Sequence, residues 1–108
     1  MRRNGWLSLK RRQQLDTLVL TIYKHTALMT QALLTAAQSQ LIDPAFVKKL
    51  ATVNDNLKVV AVKIKTYSES NKEHGTTQLQ QRVLAELLDA RKQFKYLCRL
   101  LALERAEL

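Results

Sequence analysis

The segment DPAFVKKLATVNDNLKVVAVKIKTY, residues 43–67, decides the fold. Asp43 offers an N-cap carboxylate, and Pro44 follows at the first helical position, where a missing N–H costs nothing. Beyond it, Phe46, Leu50, Val53, Leu57, Val60, Ile64 and Tyr67 recur at alternating spacings of four and three. This heptad seam predicts a helix over 44–68 whose apolar face only partner helices can cover.

Upstream, Ser8 follows the turn signal Asn4-Gly5 and reads as an N-cap. Leu15, Leu18, Ile22, His25, Met29, Ala32 and Ala36 then keep helical phase as far as Ser39, with no Gly or Pro between them. One helix over 8–40 fits, about 45 Å long at about 1.5 Å per residue. Lys24-His25-Thr26 offers a place to break it in two, with Thr26 capping the second half. The unbroken phase favours continuity.

Downstream, Glu69 to Gly75 is polar and reads as a loop. Thr77 with Gln80 matches a capping box, which starts the last helix at Thr76 or Thr77. Leu79, Val83, Leu87, Ala90, Phe94, Leu97, Leu101 and Glu104 form its seam, and Leu84, Leu88 and Cys98 are expected to widen it. The expected fold is all-α. It is an antiparallel bundle of three long helices, or four if the first breaks near His25-Thr26. Residues 1–108 make one domain: a basic arm (1–7), a helix or helix pair (8–40), a central helix (44–68) and a last helix (76–106).

Composition agrees. Apolar residues make up 46% of the 108, and only 2 Gly and 1 Pro are present, which favours long regular elements. Cys98 stands alone, so an intramolecular disulfide and a Cys-rich metal site are both excluded. No run approaches the ~18 apolar residues of a spanning helix, and Lys10, Arg11 and Arg12 interrupt any signal-like region. The expectation is a cytoplasmic protein, free or peripheral at the inner membrane face.

Charge is the unusual bulk property: 18 Lys+Arg against 9 Asp+Glu, a net +9. Arg2, Arg3, Lys10, Arg11 and Arg12 form one cluster that contains no acid. Lys92, Lys95 and Arg99 form a stripe on the last helix at i, i+3 and i+7, with Arg91 beside it and Tyr96 next to it in sequence. These nine residues, from Arg2 to Arg99 without Arg91, are the candidate contact surface for an anionic partner: a membrane surface, nucleic acid or an acidic protein face. The central helix scatters Lys49 and Lys63 to one flank and Lys58 and Lys65 to the other, so no single stripe forms there.

Catalytic patterns are missing from the sequence. Cys98, His25 and His74 lie far apart with no orienting third group, and Cys98 reads as a buried inert thiol. His25 occupies a core position, where a neutral, hydrogen-bonded imidazole is expected. Glu86 and Asp89 read as surface partners of Arg82 and Lys92. Trp6 reads as a cap on the end of the bundle or, beside Arg2 and Arg3, as an aromatic at a membrane interface, with capping favoured. No enzyme activity, cofactor or metal is expected.

The chain also resembles a known family. Trp6-Leu7-Ser8 followed by Arg11-Arg12-Gln13 is similar to the aromatic–serine–basic opening of the immunity proteins against pediocin-like bacteriocins, the enterocin A immunity type. The stretch from Leu34 to Leu57 resembles that family's second and third helices around an Asp-Pro junction, and Leu79 to Leu88 resembles the start of its fourth. Three features depart from the pattern: Leu9-Lys10 where the family often has Gly, a longer segment over 44–70, and a helical end over 97–108. The resemblance implies a non-enzymatic cytosolic bundle. It would engage a membrane-associated receptor with its bound bacteriocin, and specificity would lie in the C-terminal half, on Lys92, Lys95, Tyr96 and Arg99. The alternatives are a nucleic-acid-binding bundle and a structural subunit of a larger helical assembly. Oligomeric state is left open.

Overall fold

The computed structural model describes residues 7–70 and 75–107. Three helices account for nearly all of them: α1 (Leu9–Ala37), α2 (Pro44–Glu69) and α3 (Thr76–Glu107). Among the described residues there is no strand. Each boundary follows from local chemistry. The Ser8 side chain accepts the Arg11 N–H at 3.1 Å, and Asp43 accepts the Ala45 N–H at 2.9 Å. Such caps contribute about 1 kcal/mol each. Gly75 precedes α3 at φ +79°, a left-handed conformation that glycine adopts without steric cost. Its carbonyl accepts the Leu79 N–H at 3.1 Å and opens the helix at Thr76.

α1 passes through Lys24-His25-Thr26 without a break, so the four-helix alternative is corrected to three. The physical reason is that Thr26 is buried and its hydroxyl donates to the Tyr23 carbonyl at 3.0 Å. Among the described residues no N–H of the following turn donates to that hydroxyl, so Thr26 is an interior helical residue and not an N-cap.

The six-residue connection over 38–43 sends α2 back along α1. Ser68 near the end of α2 donates to the Asp16 carboxylate at 2.7 Å, and Asn54 at mid-length reaches Thr26 and Thr30. α3 then runs antiparallel to α2 and parallel to α1. Its start meets the start of α1 through Arg11 and Thr77, and its end meets the end of α1 through Ser39 and Glu104. The result is a rod, 65 × 20 × 18 Å.

Two apolar clusters fill the rod. One centres on Leu15, Ile22, Leu57, Ile64 and Val83, the other on Met29, Leu50, Leu97 and Leu101. His25, Thr26 and Asn54 are buried at the positions between them along α1 and α2, a polar layer across the middle.

The α2 seam is rotated from its expected position. Leu50, Leu57 and Ile64 are buried as the heptad requires, but Phe46, Val53, Val60 and Tyr67 are only half-buried. The second buried column is Asn54, Ala61 and Ser68. Small and polar residues let α2 approach α1 closely, and the larger side chains flank that contact. On α3, Val83, Leu87, Ala90, Leu97 and Leu101 are buried as expected, whereas Leu84, Leu88 and Cys98 are exposed. Cys98 is therefore corrected from a buried thiol to a surface one. A helix with two neighbours buries a single narrow stripe, and these three residues lie outside it.

Candidate functional site: the basic face of the α1–α3 pair

Arg2, Arg3, Trp6 and His74 lie outside the described residues. The rest of the basic N-terminal cluster divides as α1 begins. Arg11 reaches across to α3, where its Nη2 donates to the Thr77 hydroxyl at 3.4 Å. Arg12 turns toward α2 and lines a groove with Asp16, Lys65 and Glu69. Lys10 is exposed, fourteen residues or about four helical turns before Lys24, which puts the two lysines on one face of α1.

The stripe on α3 is fully formed. Lys92, Lys95 and Arg99 are all exposed, together with Arg91. Leu88, 57% exposed, precedes Lys92 by four residues on the same face, and Leu103, 62% exposed, follows Arg99 by four. A run of three cations is thus flanked by a leucine at each end along the outer surface. Tyr96, four residues after Lys92 and seven before Leu103, borders this face on the side of α2. Its ring meets Phe46 of α2 edge-on, with centroids 5.5 Å apart and planes at 82°.

The carboxylates of the described residues lie elsewhere. Asp16 and Glu69 line the α1–α2 groove, and Asp55 lines a second groove between the same helices. Glu86 and Asp89 line the α2–α3 cleft, with Glu86 paired to Arg82 at 3.3 Å as the spacing predicts. Asp89 does not pair with Lys92 among the described residues. Asp43 caps α2, and Glu104 accepts the Ser39 hydroxyl at the far end of the bundle. Along its middle the α1–α3 face therefore carries cations and leucines without a compensating acid.

A groove of about 360 Å³ runs down this face between the two helices. Leu28 and Phe94 supply apolar lining, and Lys24, Arg91 and Lys95 supply charge. His25 also lines it, only 7% exposed, its ring meeting Phe94 edge-on at 5.7 Å and 74°. The imidazole is not hydrogen-bonded as expected: its Nε2 is buried and has no partner among the described residues. Burial first, and then the positive charge of Arg91, hold its pKa below the ordinary value. It is neutral near pH 7.

Sequence spacing found Lys92, Lys95 and Arg99, with Arg91 beside them, but did not join Lys24 and His25 to them. The available signal was the odd number of helices. A chain that goes up, down and up brings its first and third helices together in parallel, and Lys24 then faces Arg91 and Lys95. Among the described residues, no group of three His, Cys, Asp or Glu is placed to hold a metal ion, and no helix is long and apolar enough to cross a membrane. Comparison of the chain with protein-family models, with curated proteins and with solved structures returns no match.

Proposed function

We propose that this chain is a non-enzymatic interaction protein that works at the inner membrane face, where its α1–α3 surface meets an anionic, partly apolar partner. The observation that carries this reading is that exposed Leu88 and Leu103 flank Lys92, Lys95 and Arg99 on a face whose middle has no carboxylate among the described residues. Solubility alone would be served by mixed charges and would not require leucines among them.

Magnitudes favour a combined mode of binding. A cation near an anionic surface contributes about 1 kcal/mol. Covering a half-exposed leucine adds about 1 kcal/mol more. Three or four of each offset the entropic cost of association, which neither set does alone.

The narrower form of the proposal is bacteriocin immunity, in which the partner is a membrane receptor holding its bacteriocin. The resemblance around Trp6 to Gln13, Leu34 to Leu57 and Leu79 to Leu88 supports it. The test is to express the chain in a sensitive strain and challenge it with a panel of pediocin-like peptides. Protection against at least one of them is expected, and unchanged killing across the panel would remove the immunity reading.

Nucleic acid is the second reading, favoured by the net +9 charge. Phosphate contact needs only cations, so it leaves Leu88 and Leu103 without a role. It predicts binding to RNA or DNA that weakens steeply with salt.

A further inference from the structure

We infer that the α1–α3 groove beside His25 is a binding site for one anionic phospholipid, taking its headgroup and the first methylenes of its chains. The inference rests on the membrane-face reading and deepens it. Three observations converge on this ligand class.

The first is charge. Lys24 from α1 and Arg91 and Lys95 from α3 line the groove, and among the described residues no carboxylate lines it. The two α1–α2 grooves differ, since Asp16 and Glu69 line one and Asp55 the other. A site with cations from both walls and no internal counterion is complementary to a phosphodiester.

The second is apolarity. Leu28 is 55% exposed and Phe94 half-buried at the same place, so the anion the groove suits is one joined to hydrocarbon. Stacking of single-stranded bases is not offered in the groove itself, where Phe94 presents its ring to His25. Size agrees. At about 30 Å³ per water the groove has room for about a dozen waters, which suits a headgroup with short stubs of chain and not a whole lipid.

The third is His25. Its side chain is more than nine-tenths buried at the groove, and its Nε2 has no partner among the described residues. Such an atom is costly to bury unsatisfied, and a ligand oxygen would satisfy it. Leu28 and Lys95, both exposed, line the same groove.

The test uses the full chain and soluble short-chain lipids below their micelle concentrations, read by NMR at the His25 and Phe94 rings. Dihexanoylphosphatidylglycerol should shift both resonances saturably. Dihexanoylphosphatidylcholine and glycerol 3-phosphate should bind at least about tenfold more weakly, because the first is zwitterionic, with its own cation to compete for the phosphodiester, and the second has no hydrocarbon chains. Arg91→Gln with Lys95→Gln should weaken binding by about tenfold, whereas Lys92→Gln with Arg99→Gln, the same change of charge outside the groove, should weaken it less than about twofold. Circular dichroism checks that both pairs fold.

An unmoved His25 ring overturns the inference. So does equal binding of glycerol 3-phosphate, which would mean a free-anion site, or equal binding of the choline lipid, which would mean adsorption of any amphiphile. Equal weakening by the two variant pairs overturns it as well. Failure of the two proposals can be told apart. Vesicle binding with a silent His25 removes the groove alone, and a responsive His25 without vesicle binding removes the membrane-face reading alone.

Discussion

Asn54 of α2 donates a hydrogen bond to the hydroxyl of Thr30 on α1 at 3.0 Å, between the two apolar clusters of the bundle. The same amide reaches the Thr26 carbonyl at 3.3 Å, while Thr30 donates onward to that carbonyl at 2.7 Å. The amide oxygen of Asn54 is buried without a partner. This bond joins α1 to α2 at a fixed level, so that one apolar cluster falls on each side of it.

The arrangement predicts opposite outcomes for two substitutions. Asn54→Ala removes volume and both bonds and should cost about 1–2 kcal/mol. Asn54→Leu removes the unsatisfied oxygen while Thr30 keeps its own acceptor, and should be neutral or stabilising by up to about 1 kcal/mol. Thermal unfolding of the two variants checks the pair. Equal losses would contradict it.

Ser68, 1% exposed, donates to the Asp16 carboxylate at 2.7 Å across the α1–α2 contact. Ser68→Ala should cost about 1–2 kcal/mol, a typical value for a bond to a charged acceptor with one exposed side. Asp16→Asn should cost less, because the amide oxygen still accepts. Denaturant midpoints at constant slope measure both.

His25 makes stability depend on pH. Its folded pKa lies below its ordinary value of about 6.5, through burial and then Arg91, so the unfolded chain binds more protons between the two values. Stability is therefore full above about pH 6.5 and falls as pH drops toward the depressed folded value. Every charged group that lines the groove beside the ring is a cation, namely Lys24, Arg91 and Lys95, and none relieves the loss. Melting temperatures at about pH 7.5 and about pH 5.5 should differ more for the parent chain than for His25→Gln. Equal differences would contradict the assignment.

Cys98 is exposed on α3, one residue before Arg99. One thiol per native chain should react with an aromatic disulfide reagent without denaturant, and Cys98→Ser should change stability by less than about 0.5 kcal/mol. Protection until unfolding would return Cys98 to the core.

The cores of α1 and α3 were legible in the sequence because Leu15 to Ala36 and Val83 to Leu101 mark their faces with large apolar residues. α2 was legible in one column only. Asn54, Ala61 and Ser68 give no hydrophobic signal, and their burial follows from how closely α1 approaches, which is a tertiary fact. Leu84, Leu88 and Cys98 were misplaced for a related reason: periodicity locates the centre of a buried stripe, while the number of neighbouring helices sets its width. Of the candidate site, the outward stripe over Lys92 to Arg99 could be read from spacing. Its union with Lys24 and His25 depends on the register of α1 against α3, for which no residue pattern stands.

The most direct measurement is flotation of the full chain with vesicles containing about 30% phosphatidylglycerol, compared with vesicles of phosphatidylcholine alone. The parent chain should float with the anionic vesicles and remain free of the neutral ones. Lys92→Gln, Lys95→Gln and Arg99→Gln together should weaken that binding by roughly a hundredfold, at about 1 kcal/mol for each charge. Equal binding to both vesicle types, no binding to either, or full binding by the triple variant would contradict a membrane-facing role for the α1–α3 surface.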